Sequence, residues 1–185
     1  MRTLQCVSFM ISFLIAISTY GSVYHNEEYG LETPIEAGAA ACLPDDEPSN
    51  HGITIILNGS VADCSDVSKQ PYVSVFAEYN VFFDTNPRQA LRRLCSGGQG
   101  VLLPSPENIK VPDRAAALGE CDLANDWVDI YWVTQSGTMP GDKIGDPLLP
   151  RVTISVSLHT KRARLRRDLR EFERQIDVLR ITPTD

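Results

Sequence analysis

The sequence predicts an α+β domain: an antiparallel β-sheet of about five to six strands, two short helices, and a C-terminal amphipathic helix packed on one face. Three observations predict it. Val152-Thr153-Ile154-Ser155-Val156-Ser157-Leu158 alternates apolar and polar residues without a break, as a strand with one buried face does. Leu165, Leu169, Phe172, Ile176 and Leu179 follow one another at intervals of four, three, four and three, the apolar stripe of an amphipathic helix. Upstream, β-prone runs alternate with helical signals too brief to build a helical domain.

Residues 1–21 read as an export signal. Arg2 is a short basic start, Cys6 to Ile17 is apolar apart from Ser8 and Ser12, and Thr19-Tyr20-Gly21 places small residues ahead of a cleavage site after Gly21. An uncleaved anchor is the alternative, although the run falls short of the ~20 apolar residues of a spanning helix. Either way the remainder is expected to be extracytoplasmic, periplasmic or secreted, and long enough for one domain with a core of its own.

Residues 22–51 are expected to be an extended acidic arm. Glu27, Glu28, Glu32, Glu36 and Asp45-Asp46-Glu47 are separated by few large apolar side chains, so the stretch would be pinned only through Cys42. The globular domain is placed at 52–185. Ile53 to Leu57, Asn58-Gly59 and Ser60 to Cys64 read as a hairpin. In the strand expected over Tyr72 to Phe83, Val73, Val75, Ala77, Tyr79 and Val81 form the core face. Asn86 caps, Pro87 opens and Gly97-Gly98 stops a helix over Arg88 to Leu94. A second short helix is predicted over Arg114 to Leu118, between Pro112-Asp113 and Gly119. Trp127 to Thr134 carries large side chains on both faces, which marks an interior strand. Gln135 to Pro150, rich in glycine and proline, reads as a long surface loop. Ile176 to Thr182 is β-branched enough to end as an edge strand instead of helix.

Four of the five cysteines, Cys42, Cys64, Cys95 and Cys121, lie beyond the signal. An even number in an oxidising compartment implies two disulfides. Three pairings are open; Cys42 with Cys64 and Cys95 with Cys121 are preferred because nearer partners close smaller loops, each worth about 3 kcal/mol. Zinc is disfavoured, since no two cysteines stand two to four residues apart.

Charge is unevenly distributed. Residues 22–150 hold 7 Lys and Arg against 19 Asp and Glu, a balance of −12, whereas residues 151–185 hold 9 against 5, a balance of +4. An acidic body repels nucleic acid and anionic membranes and suits another protein, a cationic one by its charge. The alternative is that the basic tail docks on its own acidic body.

No catalytic constellation emerges. His25, His51 and His159 are scattered, no Gly-x-Ser-x-Gly turn occurs, and Ser96-Gly97-Gly98-Gln99-Gly100 follows a helix where a phosphate loop would precede one. No catalytic residue, metal or cofactor is therefore expected. Carboxylates are the plentiful resource: Asp122, Asp126 and Asp129 cluster around the aromatic strand, and Asp142 and Asp146 lie in the loop after it without the spacing of a calcium loop. The favoured function is a small exported protein-binding module, of inhibitor or immunity type, acting through an acidic surface. Its candidate residues are Asp126, Asp129, Asp142 and Asp146, with Trp127 and Tyr131 beside them. Asp129 shares a strand face with Trp127 and Tyr131, the combination that binds or cleaves sugars, so a carbohydrate-binding or carbohydrate-active protein is the alternative. A further alternative is a structural subunit of an envelope assembly, contacting its neighbour through the basic helical face of Arg162 to Arg174.

Overall fold

A computed structural model of the chain describes residues 20–43, 51–57, 61–97, 100–104, 115–139 and 149–182. Its elements in order are β1 (Tyr20–Asn26), β2 (Leu31–Glu36), β3 (Ala40–Cys42), β4 (Gly52–Ile56), a 3-10 segment (Val61–Lys69) and β5 (Tyr72–Tyr79). There follow α1 (Pro87–Gly97), β6 (Val101–Leu103), β7 (Ala116–Asp122), β8 (Trp127–Ser136) and β9 (Val152–Lys161). A 3-10 turn (Arg162–Arg164) then leads into α2 (Leu165–Val178) and β10 (Arg180–Ile181). The fold class is α+β, with a seven-stranded antiparallel sheet in the order β3-β4-β5-β9-β8-β7-β6 and a three-stranded one in the order β1-β2-β10.

The alternation in β5, β8 and β9 builds one continuous apolar face. Val73, Val75 and Ala77, then Val128, Ile130 and Trp132, then Ile154, Val156 and Leu158 are fully buried in a single cluster. That face is covered by α2, whose Phe172 and Ile176 join the same cluster, and by Tyr24 and Leu31 of the three-stranded sheet. The expected stripe of α2 is thus the one that packs, and β10 continues the chain by pairing with β2. On the opposite face the sheet is covered in two places. Helix α1 lies over β6, β7 and β8, with Ala90 and Leu91 against Ala117 and Val133. The 3-10 segment lies against β3 and β4.

Each cover on that face is tied by a disulfide. Cys42 pairs with Cys64 and Cys95 with Cys121, with Cα atoms 5.5 and 5.7 Å apart. Asn86 caps α1 as the sequence suggests, its Oδ1 accepting from the Gln89 amide at 3.1 Å. Among the described residues no helix is long and apolar enough to cross a membrane.

Several expectations are corrected. The acidic stretch 22–51 is not an arm: β1, β2 and β3 occupy much of it, because Tyr24, Leu31 and Thr33 alternate inward while the glutamates take the turn and the outer face. Since β1 begins at Tyr20, cleavage after Gly21 would trim two residues from that strand. Val61 to Cys64 do not return as a hairpin strand but belong to the 3-10 segment; Asn58-Gly59-Ser60 lies outside the described residues, and β4 pairs with β3 and β5. The predicted second helix is strand β7, in which Ala116 to Leu118 pair with Thr134 to Trp132. Sheet pairing there overrides the helix preference of alanine. Val81, assigned to the core, is exposed beside Phe82 and Phe83 in the turn after β5. Thr153 and Ser155, expected to face water, are buried beneath that second face.

Candidate functional site

On the sheet face opposite α2, Tyr72 of β5 and Asp129 of β8 both stand opposite His159 of β9, so all three side chains project to the same side. His159 Nδ1 lies 2.6 Å from Asp129 Oδ1, and the Tyr131 hydroxyl donates to Asp129 Oδ2 at 3.2 Å. The imidazole stacks on Trp127, with centroids 4.3 Å apart and planes inclined by 12°, and on Tyr72 at 4.9 Å and 21°. Lys161 places its Nζ 4.4 Å from the Trp127 ring centroid while donating to the Asn125 carbonyl.

Burial and then the neighbouring Asp129 charge push the Tyr72 phenol up to about 12, and the same causes in the same order raise Tyr131. Both phenols therefore stay protonated near neutrality, and Tyr131 remains a donor to the carboxylate. A carboxylate only accepts, so Nδ1 of His159 is the donor of this bond. Nε2 is buried and has no hydrogen-bond partner among the described residues. Imidazole and carboxylate thus form the base-and-orienter half of a nucleophilic constellation. The other half is missing among the described residues, where no hydroxyl or thiol hydrogen-bonds Nε2 and Cys42, Cys64, Cys95 and Cys121 are all in disulfides.

Of the six predicted binding residues, Trp127, Asp129 and Tyr131 meet in this cluster. Asp126 does not; it is exposed in the β7–β8 turn at φ 60°, its carbonyl accepting from the Arg162 amide at 2.9 Å. Asp142 and Asp146 lie outside the described residues. The cluster is no ready sugar platform, because the Trp127 ring already contacts His159 and Lys161 and the Asp129 oxygens are already bonded. His159 and Tyr72 escaped the sequence reading. Their signal was the continued alternation of β9 through Ser155, Ser157 and His159, which puts the histidine on the polar face beside β8.

The second region is the outer side of α2 and its flanks. Here the basic tail meets the acidic body: Arg162 pairs with Glu120 and Asp122, Arg174 with Glu36, and Arg180 with Glu32. Within the helix, burial pushes the Asp168 carboxyl up, but hydrogen bonds from Thr160, Arg164 and Arg167 outweigh it and hold it below the usual carboxylate range. Arg166 and Arg170 differ from the rest. They are exposed, stand four residues apart on one side of the helix, and have no partner among the described residues. Arg170 lines a depression of about 580 Å³ with Glu36, Ile55, Arg167, Glu171 and Arg174.

The sequence matches no protein-family model and no curated protein. Among solved structures the chain is similar to cyanobacterial PsbP (CyanoP) from Synechocystis sp. PCC 6803, with a TM-score of 0.50 over 91% of this chain and 95% of that one. At 11% identity this likeness is one of fold.

Proposed function

We propose that the chain is a small extracytoplasmic binding protein that serves as a subunit of an assembly, with the outer arginine side of α2 as its contact. The observation that carries this reading is Arg166 and Arg170, two unpartnered cations on a helix whose other arginines are largely committed to carboxylates of the same chain. Pairing between tail and body commits the neighbouring arginines and leaves these two as exposed cations of the helix, and a guanidinium pair at helical spacing suits carboxylates on a partner protein. Two disulfides fit folding in an oxidising compartment.

The experiment compares two double variants of equal charge change, Arg166→Glu with Arg170→Glu on α2, and Arg88→Glu with Arg92→Glu on α1, where both arginines are also exposed. Each is exposed to native extracytoplasmic extract at two salt concentrations, with the stoichiometric partner identified by mass spectrometry. Loss of a salt-sensitive partner in the α2 variant alone supports the reading. Equal loss in both, or stronger binding as acid is added, would move the contact to the acidic body and to a cationic partner instead.

A further inference from the structure

The covers pinned by the two disulfides leave a cleft of about 490 Å³ between them on the second face of the large sheet. One wall is formed by Cys42–Cys64, Leu43 and Val67, and Leu94 of α1 stands on the other side. The floor is made by inward-alternating residues of β4, β5 and β9: Thr54, Ser74, Phe76, Ser155 and Ser157. Tyr72 and Tyr131 add two rings. Every lining residue is uncharged, in a chain where 22% of residues carry charge.

The floor hydroxyls fall into two classes. Thr54 Oγ1 lies 3.2 Å from Ser74 Oγ, and Ser74 also donates to the Ile53 carbonyl. Ser155 and Ser157 present their hydroxyls to the cleft itself, Ser155 at only 7% exposure. Sites for small molecules combine mainly apolar walls with a few placed polar groups, at cleft volumes of roughly 300 to 1,000 Å³. Because the site has no cation or anion to neutralise a ligand charge, a charged ligand would lose its hydration uncompensated.

We infer that this cleft is a binding site for an uncharged small molecule with a flat apolar ring and a hydrogen-bonding oxygen, the ring lying among Tyr72, Phe76 and Tyr131 and the oxygen meeting Ser155 and Ser157. Rings of that kind stack or meet edge-on with the three aromatic side chains. The two serines lie two residues apart on one strand face, so their hydroxyls are spaced at about 7 Å and address two separate points of the ligand. The site is distinct from the arginine contact on α2, which lies across the sheet.

The test uses the oxidised chain without its signal and two probes of matched shape, 2-acetonaphthone, which is neutral, and 2-naphthoate, which is an anion. Binding is followed by titration calorimetry and by saturation transfer from protein to ligand. The expected result is one neutral probe per chain, the anion at least tenfold weaker, and Ser155→Val and Ser157→Val each weakening the ketone about tenfold with unchanged melting temperature. Arg166→Glu with Arg170→Glu should leave the ketone affinity alone, which separates this site from the assembly contact. Equal binding of both probes, indifference to both serine substitutions, or no binding at all overturns the inference.

Discussion

At the scale of single residues, the sharpest constraint is Gly52. A Cβ there would stand 2.2 Å from the Val75 carbonyl oxygen and 2.8 Å from Phe76 Cα, so β4 has to move off β5 to admit one. Gly52→Ala is predicted to cost about 3 kcal/mol in urea unfolding, the upper range for overpacking. Among the described residues Asp168 is the most heavily bonded carboxylate, held by Thr160, Arg164 and Arg167. Asp168→Ala removes hydrogen bonds to a charged group and strands the Thr160 hydroxyl, so a loss of about 2 kcal/mol is expected. Its pH signature follows from a folded pKa below the unfolded one. The contribution is complete above the unfolded carboxyl value near ~4 and disappears as pH falls through the lowered folded value. Stability measured against pH should accordingly fall less steeply below pH ~4 in Asp168→Asn than in the parent chain. Sequence reasoning found Trp127, Asp129 and Tyr131 but not His159, since the register that sets a histidine beside an aspartate thirty residues away is a property of two paired strands.

Among the elements, α1 and the 3-10 segment depend most on covalent ties. Helix α1 buries Ala90, Leu91 and Cys95, a small apolar face for eleven residues. Replacing Cys95 and Cys121 by serine is predicted to lower stability by about 3 kcal/mol. Amide exchange should rise across α1 while β5 and β9 keep their protection, because their shared core lies on the other face. Uniform loss of protection throughout the sheet would show that α1 is integral to the core. Capping and proline made α1 legible in the sequence, and alternation did the same for β5, β8 and β9. The Ala115-Ala116-Ala117-Leu118 run reads as helix between Pro112-Asp113 and Gly119, whereas in the sheet Ala117 packs under α1. The acidic amino-terminal stretch does not announce its strands because its large apolar side chains are few and set among carboxylates, and only the turn at 27–30 sets Tyr24, Tyr29 and Leu31 on one side.

For the molecule as a whole, the carboxyl-terminal segment is part of the core and not an appendage. Phe172 and Ile176 are fully buried against the seven-stranded sheet, and β10 closes the three-stranded one. Truncation before Lys161 is therefore expected to unfold the domain, which would appear as loss of near-ultraviolet circular dichroism. Phe172→Ala alone should cost about 4 kcal/mol. Charge is organised in the same way. The acidic body and basic tail meet at Arg162, Arg174 and Arg180, so much of the asymmetry between the two halves is satisfied within the chain.

By itself the sequence determined the α+β class, the principal strands, the capped helix and the amphipathic stripe of α2, and it favoured one disulfide pairing of three. All of these are local, resting on period, cap chemistry and loop length. Tertiary structure alone decided that Glu36, Glu120 and Asp122 serve the chain's own arginines, that His159 is wedged among Trp127, Tyr72 and Asp129, and that Ser155 and Ser157 floor a cleft of uncharged residues. Each of those outcomes turns on which strand pairs with which and in what register, and pairing across long separations is set by the fit of whole faces rather than by any short run of residues.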